Sequence, residues 1–137
     1  MISRPRVLVL ALLAAPLAAQ TFAPPVQHVM GTMPAGLVVT DLSGDGLPDV
    51  ATANRIEKTV SVRLGDGAGG LGAEDSYTLP GVAEALDLAA GDVTGDGKLD
   101  LVVCASDGNT SIVLVLRGLG GGAFQKAKAP VPSLRAR

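Results

Sequence analysis

One nine-residue pattern occurs twice in this chain and constrains its fold more than any other feature. The first copy is Asp41-Leu42-Ser43-Gly44-Asp45-Gly46-Leu47-Pro48-Asp49 and the second is Asp92-Val93-Thr94-Gly95-Asp96-Gly97-Lys98-Leu99-Asp100. Both read D-x-[S/T]-G-D-G-x-x-D. Each follows an apolar run and leads into another, so each reads as a loop between two strands. Its repetition means that one supersecondary unit is used twice.

The spacing has a chemical reading. Oxygens at positions 1, 3, 5 and 9 of a tight loop, with the carbonyl of position 7, can converge on one point. Ca²⁺ takes about six to eight oxygen ligands and tolerates irregular geometry. The glycine at position 6 permits the positive φ of a sharp turn. Three carboxylates in one loop repel one another. At an effective dielectric near 20 and a separation of about 5 Å, each like-charge pair costs about 3 kcal/mol, and a divalent cation converts that repulsion into attraction. The competing reading is a polar turn without metal, because Asp and Gly dominate turns in any case. An EF-hand loop shares the first nine positions but needs a Glu at position 12 and flanking helices. Position 12 is Thr52 in one copy and Val103 in the other. The same missing acid argues against a dockerin-like helical pair.

The repeat extends beyond the loops. Leu37-Val38-Val39 and Leu86-Asp87-Leu88-Ala89 precede them, and Val50-Ala51-Thr52-Ala53 and Leu101-Val102-Val103-Cys104-Ala105 follow. Next come Val60-Ser61-Val62-Arg63-Leu64, with period-two alternation, and Ile112-Val113-Leu114-Val115-Leu116. That second run is continuously apolar, as in a strand buried on both faces. Each unit closes with a glycine cluster, Gly65 to Gly70 and Gly118 to Gly122. A fourth strand is expected at Ser76 to Leu79 and a weaker one near Gln125 to Val131. The period is 51 residues from Asp41 to Asp92 and 53 from Gly65 to Gly118. The two extra residues are expected near Asp107-Gly108-Asn109, a turn signal. Three or four short strands at this period point to propeller blades.

Composition supports an all-β chain of small branched side chains. Among 137 residues there are 18 Gly, one Tyr, two Phe and no Trp, so Val, Leu, Ile and Ala must build the core. With a net charge of −2 and no basic stripe, nothing suggests a nucleic-acid partner, and none is expected. The N-terminus reads as a secretory signal over residues 1–19. Arg4 and Arg6 precede an apolar run from Val7 to Leu17, and small residues invite cleavage after Ala19. The run is shorter than the roughly 20 residues needed to span a bilayer, so no membrane span is expected in the mature form. The expected location is secreted, periplasmic or cell-surface. Millimolar calcium outside the cell suits modules that bind with Kd of about 10⁻⁴–10⁻³ M. Cys104 is the single cysteine and reads as a buried, inert thiol. His28 is the single histidine and has no companions for a zinc site.

Strand, D-x-[S/T]-G-D-G-x-x-D, strand, strand and glycine cluster, closed by Leu71 in one unit and Phe124 in the other, resembles the FG-GAP/VCBS repeat family of integrin-α-like propellers. The likeness covers roughly residues 22–128. It implies two Ca²⁺ sites: Asp41, Ser43, Asp45 and Asp49 with the Leu47 carbonyl, and Asp92, Thr94, Asp96 and Asp100 with the Lys98 carbonyl. Position 3, often Asp or Asn in that family, is a neutral hydroxyl here. The expected organisation is a signal peptide (1–19), an N-terminal strand or linker (20–36, with a strand from Val26 to Met30), repeat one (37–80), repeat two (81–129) and a disordered tail (130–137). The fold class is all-β, with two propeller-blade-like antiparallel sheets forming a partial or oligomer-completed β-propeller.

The function expected is an exported, non-catalytic calcium-binding module for scaffolding or adhesion, with a glycan or cell-surface protein as partner. Two other readings stand beside it: the propeller portion of a secreted polysaccharide-active enzyme, and a truncated paralogue without function. The enzyme reading lacks a Ser-His-Asp set and an HExxH motif. Asp66, Asp75 and Asp87 are unpaired acids, and the Gly118 to Gly122 cluster lacks the Lys-Ser/Thr of a phosphate loop. Two units cannot close a ring of four to eight blades. Both blades are expected to be apolar on both faces, which leaves two faces open, so the isolated mature chain is expected either to self-associate, as in a ring of several chains, or to be marginally stable.

Overall fold

Each copy of the loop pattern is the first hairpin connection of a meander. In the computed structural model residues 22–128 are described. The signal reading at 1–19 and the tail at 130–137 lie outside them. The strands are β1 (Pro34–Thr40), β2 (Asp49–Asn54), β3 (Thr59–Gly65), β4 (Leu71–Thr78), β5 (Glu84–Gly91), β6 (Asp100–Ser106), β7 (Ser111–Leu116), β8 (Gly118–Gly120) and β9 (Ala123–Phe124). Sheet one has the order β1-β2-β3-β4, sheet two has β5-β6-β7, and β8 pairs with β9. All pairings are antiparallel. Among the described residues there is no helix, hence none long and apolar enough to cross a membrane.

Strand register assigns the faces. Val38, Ala51 and Val62 lie in one row across β1, β2 and β3, with Gly36, Ala53 and Val60 in the next. In sheet two, Leu88, Val103 and Leu114 share a row, and Ala90, Leu101 and Leu116 another. These rows meet in a single core cluster in which Ala51, Ala53, Val60, Leu101, Val103 and Leu116 are wholly buried. β1 and β2 lie against β5, so the sheets stand side by side. Tyr77 on β4 and Phe124 on β9 meet edge to face at 5.7 Å and 88°, which ties the end of unit two to the outer strand of unit one.

The two extra residues of unit two lengthen its hairpin by one rung, Ser106 opposite Ser111, ahead of the turn at Asp107 to Thr110. One residue enters each strand. The positions that match Asn54 and Thr59 are therefore Ala105 and Ile112, and the pairing nearer the loop is unchanged. An odd insertion would have turned one strand over.

Several sequence expectations are corrected. Residues Val26 to Met30 form no strand. Instead, residues 28–33 cross sheet one. His28 Nε2 lies 3.3 Å from the Gly69 carbonyl, Gly31 rests against the Asn54 side chain, and Arg55 N–H donates to the Met33 carbonyl at 3.0 Å. Residues 125–128 do not pair with β7, and 129–131 lie outside the described residues. Lys126, Ala127 and Lys128 are poor strand formers, and Pro130 follows them.

β7 is buried on one face only, with Val113 63% and Val115 44% exposed, because no third sheet covers it among the described residues. Cys104 faces the same way and is exposed, not buried. Unit one does not have two apolar faces. The face of sheet one turned away from sheet two carries Thr52, Asn54, Ser61, Arg63 and Glu74. Asn54 Nδ2 donates to Thr59 Oγ1 at 3.0 Å and to Ser61 Oγ at 2.8 Å, the Ser61 hydroxyl donates to Glu74, and Arg63 pairs with Glu74 at 3.4 Å. Buried polar side chains persist where they are hydrogen-bonded to one another, and here they form a row.

Gly65 and Gly118 hold the same place in the two units. A Cβ at Gly65 would overlap the Pro48 carbonyl oxygen, and one at Gly118 the Leu99 carbonyl oxygen. Gly65→Ala and Gly118→Ala should each destabilise the fold by about 2 kcal/mol through the forced backbone shift. That lowers the thermal midpoint by about 10 °C, as calorimetry would show.

Candidate functional site

Both loops close on their own backbone. In loop one Asp41 Oδ1 accepts the N–H of Gly44 at 2.7 Å and of Asp45 at 3.1 Å, and Oδ2 accepts that of Gly46 at 2.8 Å. Asp45 Oδ1 accepts the Leu47 N–H at 2.8 Å. In loop two Asp92 accepts from Gly95 at 2.7 Å, Asp96 at 3.2 Å and Gly97 at 2.8 Å, and Asp96 from Lys98 at 3.0 Å. The hydroxyls of Ser43 and Thr94 point to the position-1 carboxylates at 3.3 Å and 3.5 Å. Glycines at positions 4 and 6 take φ of 83° and 85° in loop one, and 75° and 80° in loop two. This left-handed conformation aims successive N–H groups inward.

Position 9 does something else. Asp49 and Asp100 are fully buried at the start of β2 and β6. Asp49 Oδ2 accepts from Leu42 and Ser43 N–H, both at 2.8 Å, and Oδ1 accepts from Gly65 N–H at 2.9 Å. Asp100 repeats this with Val93 and Thr94 at 3.0 Å and Gly118 at 2.8 Å. Each carboxylate thus ties the start of its loop to a glycine at the end of the third strand, Gly65 as its last residue and Gly118 two residues past it. Sequence reasoning assigned no such role to Gly65 or Gly118. The signal available was their fixed place at the head of each glycine cluster.

The loops are neighbours. Ser43 accepts the Gly121 N–H at 3.1 Å, and Asp41, Ser43 and Gly44 share a shallow cleft with Gly97, Lys98 and Gly120. The position-2 residues part company. Leu42 is 5% exposed and belongs to the core cluster, while Val93 is 59% exposed.

The N–H groups also set the charge state. Asp41 is held below the usual carboxylate range chiefly by the Gly46 N–H, Asp96 by the Lys98 N–H and then by Arg117, and Asp100 by the Gly118 N–H. Arg117, which sequence reasoning missed, pairs with Asp96 Oδ2 at 3.0 Å. Hard oxygens at positions 1, 3, 5 and 9 are the donor type that calcium takes. Among the described residues no group of three or more acidic, histidine or cysteine side chains is arranged to hold an ion. In these conformations the like-charge repulsion within each loop is met by backbone N–H dipoles.

Asp49→Ala would leave the N–H groups of Leu42, Ser43 and Gly65 without an acceptor. At about 1–3 kcal/mol for each unsatisfied donor, the loss should be on the order of 3 kcal/mol or more. Asp45→Ala should stay within about 1 kcal/mol, and denaturant titration would separate the two. A carboxyl whose folded pKa lies below its unfolded value adds stability above the unfolded value and loses it as pH falls through the folded one. Stability should therefore hold from neutral pH down to about 5 and fall below about 4, read by circular dichroism.

Residues 41–103 match the sequence model of the FG-GAP-like repeat, from the start of loop one into β6. No curated protein and no solved structure matches the chain. The match spans a whole period, loop to loop, and over that segment the chain is similar to the FG-GAP-like repeat family.

Proposed function

We propose that this protein is an exported, non-catalytic repeat module that presents a binding surface to a glycan or a cell-surface protein, and that its two loops take calcium. The observation that carries this reading is the duplication of one donor set in one conformation, on adjacent loops of a rigid antiparallel scaffold. Asp41, Ser43, Asp45 and Asp49 with the Leu47 carbonyl would hold one ion. Asp92, Thr94, Asp96 and Asp100 with the Lys98 carbonyl would hold the other. Calcium here supplies charge neutralisation and rigidity. The expected place of action, secreted, periplasmic or cell-surface, rests on the leader reading at residues 1–19.

The two loops differ in one respect that bears on affinity. Among the described residues Asp45 Oδ2 has no hydrogen-bond partner, whereas Asp96 Oδ2 accepts from Arg117. An ion entering loop two must displace that guanidinium. Isothermal titration should therefore give two sites of unequal affinity. Asp45→Ala should remove the tighter and Asp96→Ala the weaker, and Arg117→Ala should bring the two closer together. Calcium at 100 times Kd should add about 2.7 kcal/mol of stability per site. No heat and no thermal shift at millimolar calcium would refute the calcium reading. N-terminal sequencing of secreted protein should start near Gln20, and recovery of intact Met1 protein from the cytosol would refute export.

A further inference from the structure

Sheet two presents an uncovered apolar face, and we infer that a second copy of this chain covers it, packed face to face about a two-fold axis running along β6. The leading observation lies within the chain. By the repeat offsets, Ala51, Ala53, Val60 and Val62 are the counterparts of Val102, Cys104, Val113 and Val115. The first set is buried to within 1% against sheet two. The second lies on the far side of sheet two, with Val113 63% and Val115 44% exposed beside the exposed Cys104. The surface that buries a neighbouring sheet in unit one stands open in unit two, and contiguous exposed apolar surface of this kind marks an interface.

The identity of the occupant follows from the other end of the molecule. Head-to-tail stacking would bring the far face of another copy's sheet one onto these valines. That face carries the Thr52, Asn54, Ser61 and Glu74 row and is crossed by residues 28–33. Its exposed apolar side chains, Leu37 and Val39, stand on the edge strand β1 beside that polar row, and laying valines on polar groups costs their hydration. The apolar face of sheet two in a second copy is itself a match, and such an isologous contact closes at two chains.

Charge selects the axis. Asp87, exposed on β5 in the same row as Cys104, marks one rim of the face. Lys126 and Lys128, beside Val113 and Val115, mark the other. A two-fold along β6 lays the β7 rim of one copy over the β5 rim of the other and pairs these charges. A two-fold across the strands would set lysine against lysine. The axis along β6 also brings Cys104 opposite Cys104 of the second copy.

Sedimentation of the purified protein should show a dimer at micromolar concentration, with or without calcium. A short bismaleimide should link the chains through Cys104, the single cysteine, with no linking in Cys104→Ser. Val113→Asp, at an exposed position that should leave the circular dichroism spectrum unchanged, should give a monomer. Asp87→Lys should weaken the dimer roughly tenfold, and the double variant Asp87→Lys with Lys128→Glu should recover part of that loss. A monomer at all accessible concentrations, larger head-to-tail oligomers, a dimer insensitive to Val113→Asp, or a dimer not linked through Cys104 would each overturn the inference. A monomer would mean that another segment, such as residues 129–137, or an unrelated partner covers the face.

Discussion

The fold depends on a buried carboxylate used twice. Asp49 and Asp100 each collect three backbone N–H groups, two from the start of the preceding loop and one from the glycine at the end of the third strand. A buried charge is tolerable only when donors surround it, and here the donors come from two places distant in sequence. One side chain therefore fixes loop, strand start and strand end together. The glycine must be a glycine because the chain passes directly over the carbonyl of Pro48 or Leu99. The nine-residue spacing, read alone as a set of metal donors, is also the spacing that lets one residue staple the hairpin.

This dual use separates roles within the pattern. Positions 1 and 5 shape the loop through successive N–H groups and remain at the surface, where a cation can reach them. Position 9 is interior. The backbone dipoles answer the like-charge repulsion that seemed to demand a metal. On the calcium reading proposed above, the ion would be an added stabiliser on a loop that already holds its shape.

The two units share a topology and differ in environment. The glycine cluster of unit two hydrogen-bonds to loop one, where Leu42 is buried, while its counterpart Val93 in loop two is exposed. The face of sheet one remote from sheet two is closed by a polar row and a crossing segment, whereas the corresponding end of unit two is apolar and open. The two ends of the described stack thus differ, although Leu37 and Val39 stand exposed on the edge strand of sheet one.

Much of this was legible in the residues. The repeat, its period, the placement of β1 to β3 and β5 to β7, and the positions of both loops follow from spacing and apolar runs, because a short hairpin records its own geometry locally. The sequence alone also narrowed the donor chemistry to hard oxygens. What only the tertiary structure decided are matters of who lies next to whom. Alternation shows that Thr52, Ser61 and Arg63 share a face, but not that a segment from residues 28–33 would lie across it. A continuous run such as Ile112 to Leu116 has the composition of a strand buried on both sides, yet burial needs a neighbour, and unit two has one on a single side. For the same reason Cys104, apolar in context, emerges exposed. Hydrogen bonding within a loop is written in its spacing. Contact between sheets depends on the number and order of units, which no local pattern encodes.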